Sequence, residues 1–171
     1  MVLGKVHQMF KGCDGKKCKV DSQNNKKYKE LLKATKSFLR DSGVKYRFES
    51  VTINKNHAAA KHVDQNNQGH SYIIGLGNYT GGELVFSNKA SATHGTHNIK
   101  NKWLKFTGDT EHYVKPFKGL RYTIVYYHLT GAEGTSLGLS SVKPVLINPN
   151  QQQQPNRKRP TKIRINITSM L

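Results

Sequence analysis

The chain has 171 residues and a mass of 19.3 kDa, enough for one domain with a substantial core. It is strongly basic, with 28 Lys and Arg against 10 Asp and Glu and a net charge of +18. No stretch approaches the roughly 18 apolar residues of a membrane span, and the first residues lack the apolar core of a secretory signal. We therefore expect neither a membrane protein, a secreted disulfide scaffold nor a collagen-like chain.

The positive charge is concentrated toward both ends. Residues 1–50 hold 13 Lys and Arg against 5 acids, and residues 151–171 hold 5 and no acid. Such a surface attracts polyanions because binding releases counterions. The charge predicts a nucleic-acid partner, with a merely solvated, soluble surface as the alternative.

The two cysteines, Cys13 and Cys18, lie in a segment rich in Lys and Gly. Neither belongs to a set of four ligands at zinc-finger spacing. We interpret them as free thiols of an intracellular protein in a reducing compartment, the nucleus included.

A short strand or loop and a flexible Gly/Lys segment are expected over residues 1–21, followed by a helix. Asp21 or Ser22 would cap this helix near Asn25, and Gly43 would end it. Apolar residues form one stripe at helical spacing, while lysines occupy the other faces. The stripe consists of Tyr28, Leu31, Leu32, Thr35, Phe38 and Leu39.

After Gly43 the apolar period becomes that of strands separated by Gly, Asn and Asp turns. Many short strands after one helix predict a mainly β fold with an N-terminal α region, arranged as a sandwich, barrel or jelly roll. The candidate strands are Tyr46–Asn54, Ser71–Leu76, Glu83–Ser87, Trp103–Thr107, His112–Phe117, Tyr122–Leu129, Val142–Ile147 and Ile163–Ile167.

The expected organisation is one domain over residues 1–147. It comprises an N-terminal basic helix region, 1–45, and a β core, 46–147. Residues 148–171 form a Gln/Pro-rich linker and a basic tail. Within the tail, Arg157, Lys158 and Arg159 are candidate nucleic-acid contacts or a nuclear address.

His62 and Asp64 are the first candidate metal ligands. They are two residues apart, so in an extended segment their side chains share a face. A histidine from another strand would complete a set of two His and one carboxylate. That set leaves coordination positions open and suits non-haem Fe(II) and oxygen activation.

Four later histidines are candidates for the third ligand. His94 and His97 lie in a polar loop, and His128 lies deep in a strand. His112 opens a strand, and Arg121 follows nine residues later on the next one. An α-keto acid bound at such an iron needs a cation for its far carboxylate, and arginine grips a carboxylate with two hydrogen bonds.

Three segments together carry a family resemblance: Thr52-Ile-Asn-Lys-Asn, His62-Val-Asp through Thr80-Gly-Gly-Glu-Leu, and His112-Tyr-Val-Lys-Pro-Phe-Lys-Gly-Leu-Arg-Tyr-Thr. This pattern resembles the 2-oxoglutarate/Fe(II)-dependent dioxygenases, and within them the compact TET/JBP-like nucleic-acid-modifying oxygenases. The match covers about residues 46–130.

The resemblance implies a double-stranded β-helix, the jelly-roll or cupin-like fold. It implies Fe(II) on His62, Asp64 and His112, which are therefore also the catalytic set. It implies that Arg121 and Thr123 bind 2-oxoglutarate, with O2 as co-substrate and ascorbate as an additional reductant. Asn54 is a further candidate for the keto-acid pocket, or equally a partner in the strand ladder or in a turn.

The predicted function is hydroxylation of a substrate C–H on a nucleic-acid base, as in 5-methylpyrimidine oxidation, with DNA favoured over RNA and a monomer over an oligomer. One alternative is a prolyl or lysyl protein hydroxylase of the same superfamily, since the segment from Gly81 to Phe86 also resembles prolyl hydroxylases. Another is a non-catalytic basic jelly-roll protein that binds nucleic acid.

Overall fold

The computed structural model describes residues 1–9, 17–131 and 146–147. Nearly half of these residues lie in twelve β-strands, and two helices lie near the N-terminus. The elements are β1 (Val2–Met9), β2 (Lys17–Asp21), α1 (Asn24–Lys27), α2 (Lys29–Asp41), β3 (Ser50–Lys55), β4 (Asn67–Leu76), β5 (Tyr79–Gly81), β6 (Leu84–Phe86), β7 (Gly95–His97), β8 (Trp103–Thr107), β9 (His112–Val114), β10 (Phe117–Gly119), β11 (Tyr122–Leu129) and β12 (Leu146–Ile147). No helix in these ranges is both long and apolar enough to cross a membrane.

Seven strands form the major sheet in the order β12-β8-β4-β11-β3-β1-β2, with every neighbouring pair antiparallel. Two smaller antiparallel groups, β7-β6-β9 and β10-β5, form the opposing layer. The first strand pairs directly with β3, so the N-terminal region belongs to the same sheet as the β core.

Helix α2 covers one face of the major sheet, here called the helix face. On α2, the buried residues Leu31, Thr35 and Leu39 recur every four positions, which keeps them on one side of the helix. They pack against alternate residues of the sheet, because side chains along a strand point to opposite faces. These sheet residues are Val51 and Ile53 of β3, Tyr72 and Ile74 of β4, and Ile124 and Tyr126 of β11.

The other face of the major sheet, here called the cavity face, looks toward the smaller sheets. Ile73 of β4 and Leu104 and Phe106 of β8 are buried there against Leu84 and Phe86 of β6. The intervening residues of β3 and β11 on this face are mostly polar and line a cavity instead. The same strands therefore supply a hydrophobic core on one side and a candidate site on the other.

The helical prediction is confirmed in its stripe and its end but not in its continuity. Ser22 Oγ accepts a hydrogen bond from the Asn24 N–H, with an N–O distance of 3.3 Å, and Gly43 has the left-handed φ of 79° expected after a helix. Between α1 and α2, Tyr28 leaves helical geometry with φ −118° and ψ 41°, so one predicted helix is two.

The strand predictions match β8 and β11 residue for residue. The predicted strand His112–Phe117 is instead two short strands, β9 and β10, and Tyr46–Asn54 begins later, at Ser50. The segment expected to be flexible contains β2, which pairs with β1 because antiparallel pairing satisfies its backbone groups.

The boundary at 147 remains a prediction, and Ile163–Ile167, the tail 148–171 and Cys13 lie outside the described residues. Cys18 is disulfide-bonded, so the prediction of a free thiol there is wrong.

Candidate metal centre and adjoining cavity

Backbone hydrogen bonds bring the two parts of the candidate metal centre together. His62 and His112 form an isolated antiparallel bridge, with N–O distances of 3.0 and 2.9 Å. The Asp64 N–H donates to the carbonyl of Gly108, 2.7 Å away, in the turn between β8 and β9. The loop carrying His62 and Asp64 is therefore tied to the elements that carry His112, although about fifty residues separate them.

The ligand atoms of His62, Asp64 and His112 all lie within 4.8 Å of one another. His62 Nε2 is 3.5 Å from Asp64 Oδ1, and His112 Nε2 is 3.9 Å from Asp64 Oδ2. Donors that each lie about 2.0–2.2 Å from one ion are separated by distances of this order. The structure thus brings together the three residues that the sequence predicted as metal ligands.

Both imidazoles are oriented so that Nε2 is free for a metal. His62 Nδ1 lies 2.7 Å from the carbonyl of Ala60, and His112 Nδ1 lies 2.7 Å from that of Thr110. A carbonyl only accepts hydrogen bonds, so each Nδ1 carries the proton and donates it. In the neutral imidazole this leaves a lone pair on Nε2, the arrangement that supporting hydrogen bonds give to metal-binding histidines.

The carboxylate and the buried histidine are also held by their neighbours. Asn67, the first residue of β4, donates from Nδ2 to Asp64 Oδ2 at 3.0 Å. The rings of Phe86 and Phe106 pack against His112, with centroid distances of 5.3 and 5.6 Å. The cluster is therefore asymmetric: the His112 side chain is 6% exposed, whereas that of His62 is 42% exposed.

Arg121 is a buried cation in the same cavity, with only 1% of its surface exposed. Its Nη1 donates to the His57 carbonyl at 3.3 Å and its Nη2 to the Gly82 carbonyl at 3.1 Å. The guanidinium lies 5.4 and 5.3 Å from the ring centroids of Tyr79 and Phe117, within cation–π range. Burial lowers the pKa of Arg121 below its usual value, yet the group stays charged at neutral pH.

No carboxylate in the described ranges forms an ion pair with Arg121. Its Nε also has no hydrogen-bond partner there. A buried charge without a counterion is costly, so it is usually paired with an anion. The charge and burial of Arg121 therefore suit it to bind an anionic ligand.

Thr123 and Asn54 lie beside one another on neighbouring strands, opposite each other in the register of β11 and β3. Asn54 Nδ2 donates to Thr123 Oγ1 at 3.2 Å. Because the threonine oxygen accepts this bond, its own hydroxyl proton remains to be donated to a ligand. The structure thus places Asn54 as a neighbour of Thr123 in the cavity.

One cavity of about 280 Å³ joins the metal-ligand cluster to Arg121 and Thr123. Its wall combines these polar groups with apolar side chains, as small-molecule sites usually do. The lining residues are Thr52, Asn54, His57, Ala59, His62, Asp64, Asn67, Ile73, Leu84, Phe106, His112, Val114, Arg121, Thr123, Val125 and Tyr127.

Several cavity residues were not predicted from the sequence. Thr52 and Tyr127 could have been found, because each lies an even number of residues from Asn54 or Thr123 on the same strand and so shares its face. Tyr127 Oη and Thr52 Oγ1 are 3.1 Å apart. Burial raises the pKa of Tyr127, and the Asp64 carboxylate adds to this effect. His57 and Asn67 carry no such signal, since their positions depend on how loops cross.

The other candidate histidines lie away from the cluster of three. His97 belongs to the short strand β7, which was not predicted, and its Nε2 lies 2.8 Å from the Thr93 carbonyl. His128 Nδ1 lies 3.8 Å from Glu49 Oε2, and His94 is exposed. Arg157, Lys158 and Arg159 lie outside the described residues.

Comparison with solved structures finds NgTET1, determined in complex with 5mC DNA, at a TM-score of 0.53 and 14% identity. The match covers 77% of this chain and 61% of that one. The chain shares the fold of NgTET1. The double-stranded β-helix expected from the sequence is therefore confirmed, as a mainly β domain with N-terminal helices.

A second solved structure, an oxidoreductase of the 2OG-Fe(II) oxygenase family from Burkholderia pseudomallei, matches at a TM-score of 0.44 and 18% identity. The match covers 72% of this chain and 65% of that one. The chain thus spans less than two thirds of the length of either structure. No protein-family model and no curated protein matches the sequence.

Proposed function

We propose that the chain is an Fe(II)/2-oxoglutarate-dependent dioxygenase that hydroxylates a C–H bond of its substrate. The observation that carries this proposal is the meeting of two groups in one cavity: the cluster of His62, Asp64 and His112, and the buried Arg121. Either group alone has ordinary structural explanations. Together they provide separate sites for a metal and for a carboxylate.

The donor set fits Fe(II). Two neutral imidazole nitrogens and one carboxylate form the ligand set of non-haem iron oxygenases, which leaves positions open for small ligands. The free Nε2 atoms of His62 and His112 and the hydrogen bond from Asn67 to Asp64 support this assignment. When bound, iron together with 2-oxoglutarate and O2 would supply the oxidising chemistry.

The chain's own residues would bind and orient the keto acid. Arg121 would pair with its far carboxylate, relieving the cost of an uncompensated buried charge, and Thr123 would donate its hydroxyl proton to the same carboxylate. Ile73, Leu84 and Phe106 in the wall would exclude water, which strengthens these charge interactions. Ascorbate would serve only as an external reductant.

We further propose that the substrate is a nucleic-acid base, with a 5-methylpyrimidine in DNA favoured. The net charge of +18 favours a polyanionic substrate. NgTET1, which shares the fold, was determined with 5mC DNA. The exposed edge of the cluster at His62 also suits a base that is turned out of its helix to reach a reactive centre.

The test is succinate release by iron-loaded protein with methylated duplex DNA, methylated RNA and a peptide library as separate substrates. We expect turnover with methylated DNA, and a hydroxymethyl base identified by mass spectrometry. His62→Ala should abolish turnover because it removes one of three ligands. His94→Ala makes the same change at an exposed histidine outside the cavity and should leave turnover intact.

Each outcome has a clear meaning. Turnover with peptides but not with nucleic acids would replace the substrate proposal with protein hydroxylation. Absence of Fe(II) and 2-oxoglutarate binding, with salt-sensitive DNA binding retained, would leave a non-catalytic basic jelly-roll protein and would refute the chemistry itself.

A further inference from the structure

A second concave site lies on the helix side of the molecule. It is a groove of about 410 Å³ between the C-terminal part of α2 and the segment that follows. The cations Lys36, Arg40 and Lys45 and the aromatic residues Tyr46 and Phe48 line it, and no described lining residue is acidic. We call it the helix-side groove.

We propose that the helix-side groove binds the phosphate backbone of a nucleic acid, at a place separate from the cavity. The cavity opens on one face of the major sheet, whereas α2 packs on the other face, against Ile53, Ile124 and Tyr126 of the sheet. The nucleotide that enters the cavity therefore cannot occupy the groove. The groove would hold another part of the same nucleic acid, or a second one.

Local charge around the groove favours an anion. Residues 24–48 carry eight exposed Lys and Arg but only two exposed acids. Both acids are already engaged: Glu30 pairs with Lys33 and Asp41 with Arg40, each at 2.9 Å. Lys36 and Lys45 form no ion pair with any described residue, so their charges are available to phosphates.

The helix end at the groove does not repel an anion strongly. The carbonyls at a helix C-terminus carry partial negative charge, but here three of them accept local hydrogen bonds. Ser42 donates from N to the Phe38 carbonyl at 3.1 Å and from Oγ to the Leu39 carbonyl at 2.7 Å. Gly43 N donates to the Arg40 carbonyl at 3.2 Å.

The aromatic side chains of the groove are held in place. Tyr46 Oη donates to the His70 carbonyl at 2.6 Å, and its ring lies 4.9 Å from that of Tyr72. The Phe48 ring packs edge-on against Tyr126 at 4.8 Å. Both Tyr46 and Phe48 remain partly exposed. Fixed aromatic surfaces beside cations are the combination that binds sugars, bases and phosphates without reading sequence.

The test measures binding of an unmethylated DNA duplex and of a single-stranded RNA. A metal chelator is present and 2-oxoglutarate is left out, so no catalysis can take place. The variant K36Q/R40Q/K45Q should bind more weakly than the wild type. For duplex DNA, the slope of log K against log salt should become shallower by about 0.9 for each phosphate that the variant no longer neutralises, or by about 2–3 in total. Asp41→Asn, which frees the lining residue Arg40, should strengthen binding.

The matched control is K89Q/K102Q/K118Q, which removes the same charge from exposed positions outside the helical layer. It should reduce the slope by less than half as much. Equal reductions of the salt slope in both triple variants would mean that the nucleic acid is attracted by the overall positive charge and not by the groove. That result would overturn the proposal. Displacement of the nucleic acid by an equal concentration of polyglutamate charge would also overturn it, assigning the groove to acidic protein segments. Thermal unfolding of each variant verifies that folding is intact.

Discussion

Gly108 lies directly beside the carboxylate of the candidate metal centre, and its replacement by alanine is a sharp test of that centre. A Cβ atom at position 108 would lie 2.7 Å from Asp64 Cβ, 3.0 Å from Asp64 Oδ2 and 3.3 Å from Asn67 Nδ2. The first distance is shorter than real contacts allow. Gly108 does not have a left-handed φ, so alanine introduces no backbone strain there, and its effect is purely steric.

The added methyl group must displace Asp64 or break its hydrogen bond from Asn67. Loss of a hydrogen bond that supports a metal ligand costs about 10–100-fold in metal affinity, equivalent to about 1.4–2.7 kcal/mol. We therefore expect Gly108→Ala to weaken binding of Mn²⁺, used as a stable substitute for Fe(II), by this factor. Titration of the metal-free protein, with free Mn²⁺ followed by electron paramagnetic resonance, measures it without any turnover.

Gly69→Ala is the matched control, because it makes the same substitution in β4 where no atom lies within 4 Å of the new Cβ. Gly69 has a φ of 68°, so its replacement should cost roughly 1–2 kcal/mol of folding stability while leaving Mn²⁺ affinity unchanged. If Gly108→Ala binds Mn²⁺ as tightly as the wild type, Asp64 is not a ligand and the reasoning fails.

Three further predictions concern the cavity, the core and the pH dependence of stability. Arg121→Ala should raise the KM for 2-oxoglutarate at least about 30-fold, since losing the charge partner of a buried carboxylate costs about 2–5 kcal/mol, while Mn²⁺ affinity in calorimetry stays the same. Tyr126→Phe removes the 2.8 Å hydrogen bond to the Thr35 carbonyl and should lower the free energy of unfolding in urea by about 0.5–1.5 kcal/mol without changing KM. Burial works to raise the pKa of Glu49, but a backbone hydrogen bond and the Lys19 ammonium outweigh it and hold that pKa below the usual 4.5. This stabilisation is present above pH 4.5 and lost as the pH falls through the folded-state pKa, so Glu49→Gln should flatten the acid limb of the stability curve; an unchanged limb would contradict this.

The parts of the fold that the sequence predicted well are those where one period extends over many residues. The stripe on α2 and the strand Tyr122–Leu129 each pack a continuous row of side chains against the core, so pattern and structure agree. The strands β5, β7 and β10 have three residues each and no period to detect. They form because the opposing layer supplies backbone partners, which only the assembled fold provides.

The candidate site also contains residues that a local sequence pattern predicts and residues that it does not. His62 and Asp64 were predictable because residues i and i+2 of an extended segment share a face, and Arg121 and Thr123 follow the same rule at the start of β11. Asn67 was not, because its contact with Asp64 comes from a turn that folds back before β4 begins. Whether such residues reach the site depends on how distant segments pack against one another, which no local sequence pattern predicts.

Strand β11 contributes to both faces of the major sheet. Thr123 and Tyr127 line the cavity, as does Arg121 just before the strand. Ile124 and Tyr126 pack on the helix face. Inserting or deleting a single residue here would exchange the two sets, turning an isoleucine toward the cavity and a threonine toward the helix face. The strand should therefore tolerate substitutions more readily than a change in length, because side chains pack on both of its faces.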